Sequence, residues 1–221
     1  MGQSTTRTEL VYQALRADIL GGKIAPNARL QFSHLKKQYD ASMGVLREAL
    51  QRLVSERLVV NAPQQGFRVM ALSLTELESL TRTRCHIEPF ALRESIEQGD
   101  LEWETRIVAA HHRLERTEKF EAAEPYAITN AWSEAHQQFH MTLCSGTDNV
   151  WLASITASLR AAADVYICWS VPLERPKRDV TAEHQELLSL CLARDADRAS
   201  ACLVSHLQTT ADIISQSIDS R

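Results

Sequence analysis

Little in this chain breaks a helix: it has 7 glycines and 6 prolines in 221 residues. That scarcity, beside a 44% hydrophobic content, excludes a disordered chain and leaves enough apolar side chain to bury a core, with length for two modest domains. No run of about 18 apolar residues occurs, so no membrane span is expected. The opening MGQSTTRTEL lacks the apolar stretch of a secretory signal, and a cytoplasmic, nucleoid-associated bacterial protein is expected. Cysteine is present but unpatterned: Cys85, Cys144, Cys168, Cys191 and Cys202 are odd in number and never stand in CxxC spacing. They are expected to be reduced and mostly buried. Also missing are a nucleophile elbow, a phosphate loop and an HExxH glutamate, which argues against an enzyme; no internal repeat is found either.

Charge is unevenly divided. Residues 1–72 carry ten Lys plus Arg against five Asp plus Glu, net +5, while the remainder is net −9, summing to the chain's −4. A basic head on an acidic body suits a chain of which one end approaches a polyanion such as DNA. Periodicity within the head sharpens this. LVYQALRADILGG places Leu10, Val11, Ala14, Leu15 and Ile19 on one helical face and stops at Gly21-Gly22. A turn at Pro26-Asn27, an extended piece around Arg29-Leu30 and a short helix over about 33–39 follow. After Asp40-Ala41 a third helix starts on a Ser42 cap with Val45, Leu46, Ala49, Leu50 and Leu53 as its stripe. LVVNAPQQGFRVMAL then alternates as two strands joined across residues 63–66.

Three helices and a hairpin form the winged helix-turn-helix pattern. Its third helix enters the major groove and its wing reaches along the backbone or into the minor groove. Arg47, in the first turns of that helix, has the forked donor geometry for guanine O6 and N7; alternatively it pairs with Glu48 or Glu56 on a solvated face. Ser42 and the helix N-terminus can hold a phosphate, and Gly66 and Arg68 belong to the wing.

From Ser73 onward the pattern is helix after helix, about six, with Ser73 and Glu76 as a capping box and Pro89 as an expected kink. The expected fold is mainly α: a winged helix-turn-helix over residues 1–72 and an all-α bundle over 73–221. HQQFH sets His136 and His140 one turn apart on one face, and His184 and His206 lie on the last two helices. Imidazoles from three helices can converge on a divalent transition metal, or be histidines packed and bonded in a core. His34, His86, His111 and His112 have no such partners and are taken as surface or packing residues.

ALRADILGGKIAPNARL, GVLREALQRLVSERLV and QQGFRV resemble the DNA-binding domain of the GntR family of bacterial transcription regulators, over nearly all of residues 8–70. That family commonly has Ser-Arg-Thr-Pro-Val before Leu-Arg-Glu-Ala-Leu; here Met43 stands where an arginine is usual, removing an expected base or phosphate contact. The usual Pro-Gly turn is Pro26-Asn27, a swap that a positive-φ turn tolerates. The body resembles the FCD domain of the FadR-like branch over most of residues 74–216. The family's Asp-x-x-Phe-His matches His136 to His140 with histidine for aspartate, its Glu-His matches Glu183-His184, and its last-helix histidine matches His206.

The resemblance implies a homodimeric regulator, most commonly a repressor, on a palindromic double-stranded DNA operator. It also implies a metal on His136, His140, His184 and His206 and a small organic acid as effector. Losing the aspartate charge favours zinc or nickel over hard ions. Four nitrogens on a six-coordinate ion leave two positions for an effector carboxylate. Arg84, matching an Arg-x-x-x-Glu with Glu88, either clamps a second carboxylate or pairs with Glu88 at i,i+4. WSEAHQQFH and LARDADRASACLVSHL are similar to the carbon-starvation-induced regulators, implying a short dicarboxylate such as glutarate. A metallated DNA-binding regulator without an organic effector is the second reading, and a histidine-metal hydrolase a remote third.

Overall fold

The computed structural model describes residues 6–62, 64, 66–121, 128–170 and 178–219. The chain divides into two compact units, Met1–Leu72 and Ser73–Arg221.

The head contains α1 (Arg7–Leu20), α2 (Phe32–Gln38), α3 (Met43–Ser55), β1 (Val59–Ala62) and β2 (Gly66–Val69). Thr6 caps α1 by accepting the Glu9 N–H, and the helix stops at Gly21-Gly22, where Gly22 takes φ 75°. Asn27 takes φ 62°, so the asparagine does adopt the left-handed conformation usually left to glycine. The extended piece adds to the wing: the Leu30 N–H donates to the Phe67 carbonyl at 2.9 Å and the Val69 N–H to the Ala28 carbonyl at 3.0 Å. β1 and β2 pair antiparallel from Val59↔Val69 to Ala62↔Gly66, with Gly66 at φ 77°.

One part of the expected core is displaced. Leu10, 51% exposed, and Ala14 lie on the outer side of α1, and the buried stripe runs through Val11, Tyr12, Leu15, Ile19 and Leu20. Val11, Leu15 and Ile19 fall at four-residue steps, and an apolar Leu10 on the flank gives periodicity alone no means to fix the centre of that stripe. Leu15, Ile19, Leu46, Ala49, Leu50, Leu53 and Val69 are fully buried, at about 1.5–3 kcal/mol for each large side chain.

Among the described residues the body contains six helices: α4 (Leu74–Gln98), α5 (Leu101–Glu115), α6 (Asn130–Leu143), α7 (Val150–Ser170), α8 (Val180–Leu192) and α9 (Ala196–Asp219). Ser73, Asp100, Thr129 and Asp179 cap α4, α5, α6 and α8 by accepting the N–H three residues on. α4 runs through Pro89 without ending. It packs on α7 and α9, while α5 packs on α6 and α8. At Gly99 a Cβ would lie 2.5 Å from the Ser95 carbonyl and the Trp103 ring, which explains the absence of a side chain there. No helix among the described residues is long and apolar enough to cross a membrane.

Candidate metal centre and nucleic-acid interface

The histidines of three bundle helices meet. α6 supplies His136 and His140, α8 supplies His184 and α9 supplies His206; all four are buried, and their ligand-capable atoms lie within 4.8 Å of one another. The His140 and His184 Nε2 atoms face each other at 3.3 Å. Two nitrogens bound to one tetrahedral zinc at about 2.0–2.1 Å would sit about 3.3–3.4 Å apart, so this pair already has the spacing of neighbouring ligands.

Burial holds all four imidazoles below their ordinary protonation range, well below for His136, His140 and His184, and the Arg160 charge adds to this in each case. They are therefore neutral near pH 7, the state in which a ring nitrogen has a lone pair to give. The indole of Trp132 stacks on His136 at a centroid distance of 4.8 Å and an interplanar angle of 12°.

A second layer orients His206. Its Nδ1 lies 2.7 Å from Glu183 Oε2, so Nδ1–H donates to that carboxylate and Nε2 keeps the lone pair that could bind an ion. Arg178 holds Glu183 through two donors at 2.8 and 2.7 Å. Burial pushes the Glu183 carboxyl up, but the bonds from Arg178 and His206 more than reverse this and bring it to about 2. A cleft of about 280 Å³, lined in part by His111, Lys119, Trp132, Arg178 and His184, opens beside the cluster. His111 is buried against Phe139, a packing residue as expected, yet it also borders this cleft.

Arg84 is buried and pairs with Glu88 on its own helix through Nε at 2.5 Å and Nη2 at 3.3 Å. The i,i+4 pair therefore forms, but it is not a solvated one. Arg160 on α7, 1% exposed, donates to the same carboxylate at 3.2 Å, and its Nε has no hydrogen-bond partner among the described residues. Burial would raise the Glu88 carboxyl, and the Arg84 and Arg160 charges hold it below the ordinary value instead. Sequence reasoning missed Arg160. The available signal was the Arg160 and Asp164 pair, four residues apart in an otherwise apolar run.

In the head, Ser42 accepts the Val45 N–H and so caps α3. Met43, Gly44, Arg47, Glu48 and Gln51 are exposed, opposite Leu46, Ala49, Leu50 and Leu53. Glu48 accepts from Thr8, and Glu56 accepts from Tyr12 and Arg16. Neither carboxylate takes Arg47, which makes no ion pair among the described residues. Gly66 is exposed at the wing, whereas Arg68 is half-buried and donates to the Asn27 carbonyl at 2.9 Å. Among the other expectations, Cys144 and Cys191 are buried, Cys85 and Cys202 are half-buried, and all four are free. The side chain of Cys168 lies outside the described residues.

A winged helix-turn-helix followed by a helical bundle defines a class, that of two-domain bacterial DNA-binding regulators. Comparison with known proteins places the chain within it. Residues 7–69 match the bacterial regulatory proteins of the gntR family and residues 79–209 match the FCD domain, so the chain belongs to the GntR family of transcription regulators with an FCD C-terminal domain. It is 36% identical to the HTH-type transcriptional regulator BphR of Paraburkholderia xenovorans strain LB400 over 94% of this chain and 85% of that one. Its identity to the HTH-type transcriptional repressor GlaR of Escherichia coli K12 is 34%, over 94% and 95%. The fold is shared with E. coli McbR/YncC (TM-score 0.75, 21% identity, 96% and 99% covered) and with a GntR regulator from Rhodococcus sp. RHA1 (TM-score 0.73, 22% identity, 94% and 97% covered). The protein is thus a DNA-binding transcriptional regulator. The more particular likeness to the carbon-starvation-induced regulators goes beyond these matches.

Proposed function

We propose that this regulator is a repressor that binds a palindromic operator as a homodimer, holds one divalent transition metal, zinc or nickel, and answers to a short dicarboxylate such as glutarate. The metal part is carried by one observation: four neutral, buried imidazoles whose ligand-capable atoms lie within 4.8 Å of one another. The widest gap exceeds the spacing of two nitrogen ligands on one ion, so the rings would have to draw together to hold it. When bound, the ion supplies a Lewis-acid position for a carboxylate oxygen. Glu183 fixes the tautomer of His206, Arg178 fixes Glu183, and Trp132 fixes the plane of His136.

Arg84 and Arg160 share the single carboxylate of Glu88, and the charge of Arg160 reaches all four histidines. An incoming dicarboxylate can take one carboxylate to the ion and turn the other toward these guanidiniums. On the DNA side, Arg47 reads a base edge, Ser42 and the N-terminus of α3 hold a phosphate, and Gly66 and Arg68 bring the wing to the backbone. Repression is supported by the GlaR likeness, and dimerisation by the single recognition helix per chain.

The test uses purified full-length protein. Elemental analysis is expected to give about one metal per chain, and His140→Ala or His206→Ala is expected to lose most of it. These variants should bind operator DNA but respond weakly to glutarate. Sedimentation of the wild type should give about twice the 24.9 kDa chain. A wild type that stays fully effector-responsive after exhaustive chelation refutes the metal part.

A further inference from the structure

Met43 opens α3 and is 43% exposed, although methionine is a side chain that buries readily. Its neighbours define its setting. Arg47 and Gln51 follow at four-residue steps, and all three are exposed, so one outward stripe of α3 runs Met43, Arg47, Gln51. Gly44 beside it answers to no demand of the fold: a Cβ there would meet only the Ser42 Oγ, at 4.0 Å, and its φ is an ordinary helical one. Glycine weakens a helix relative to alanine, so something outside the head accounts for its bareness. On the reading of α3 as the groove helix, that something is the DNA surface.

Each base pair presents a different pattern in the major groove. Guanine and adenine offer acceptors and donors, and thymine alone among the four bases adds a C5-methyl. A thioether donates no hydrogen bond and accepts only weakly, so Met43 cannot read guanine or hold a phosphate. It can pack against a methyl group. We propose that Met43 is a specificity-determining residue that reads a thymine C5-methyl in each operator half-site, beside the base pair read by Arg47, and that Gly44 leaves the room for this approach. The proposal rests on the groove reading of α3, and the controls below separate the two.

The probe is the duplex that full-length protein selects from random-sequence DNA, remade with each thymine replaced singly by deoxyuridine, which removes only the methyl. One thymine per half-site is expected to be sensitive, losing about fourfold in affinity, the worth of one buried methyl-sized group, and about sixteenfold when both half-sites are changed. Met43→Ala should bind the thymine and deoxyuridine duplexes alike. Met43→Arg should select guanine at that position, and Gly44→Ala should weaken operator binding without lowering thermal stability. Arg47→Ala tests the underlying reading: it should weaken operator binding tenfold or more and random-DNA binding far less. If Arg47→Ala changes nothing, α3 is not the groove helix and both ideas fall. If Arg47→Ala weakens the operator but no thymine is sensitive, or Met43→Ala keeps the wild-type sensitivity, only the methyl reading is overturned.

Discussion

The head and the bundle bury different chemistry. In the head every buried residue among those described is apolar or tyrosine, and the Met43, Arg47, Gln51 stripe of α3 faces outward. In the bundle the described core contains three ion-pairing charged side chains, Arg84, Glu88 and Arg160, and four clustered histidines. Buried polar groups cost free energy that packed leucines would not, so a helical bundle of this size has no need of them to fold. The difference is what the proposed function requires: a head that works at its surface and a bundle that works through its interior.

The largest effect that would break this comparison is at Glu88. Glu88→Gln leaves Arg84 and Arg160 facing each other with no carboxylate between them, and removing one partner of a buried charge network costs about 3–5 kcal/mol. Urea unfolding of the bundle should record that loss, with the head's random-DNA affinity unchanged. The acid response has a definite sign. Glu88 is held below its ordinary value of 4.5, so its contribution is present above that pH and disappears as the pH falls through its folded value. A loss under about 1 kcal/mol in the variant would mean that water reaches these charges and that the two interiors are alike.

The clustering of the four histidines was legible because histidine spacing is informative. Two of the 8 histidines stand one turn apart, and chain order puts two more on later helices that a bundle returns to the same side. Helical periodicity also located the α3 stripe and the number of bundle helices. Arg160 was not legible, since an arginine inside an apolar helix is read as its solvent side, and only packing reveals that the helix has none there. Arg178 was hidden for another reason: it precedes the Asp179 cap, in a connection where no periodicity applies, and its role depends on reaching Glu183 and the His206 carbonyl. The exposed position of Leu10 failed for a third, because burial of a flanking residue depends on what packs beside it.

A second, smaller effect sharpens the comparison within the bundle. Glu183→Gln keeps an oxygen that can accept the His206 Nδ1 proton but removes the charge that makes the imidazole a better donor. Metal affinity, measured by competition with a chelator, should fall about 10- to 100-fold, a change of the size expected for the second layer of a metal site. Operator binding by metal-loaded protein should stay near wild type. Unchanged metal affinity would show that Glu183 serves the fold through Arg178 and not the ion.

The smallest effect belongs to the head and to alkaline pH. The Tyr12 hydroxyl donates to Glu56, and burial, followed by that carboxylate, lifts its phenol to about 12; burial and Asp18 raise Tyr39 as well. A raised acid keeps its proton in the folded head after the unfolded chain, with a phenol near 10, has lost one. Head stability should therefore be unaffected by these groups below pH 10 and should fall as pH rises from 10 towards 12. Tyr12→Phe removes one such group together with a hydrogen bond worth about 0.5–1.5 kcal/mol. The variant should be the less stable protein at pH 7, with the gap to wild type narrowing above pH 10, as followed by thermal unfolding across that range. A gap that stays constant to pH 12 would mean that the Tyr12 phenol ionises as freely in the folded head as in the unfolded chain, leaving the loss at neutral pH to the hydrogen bond alone.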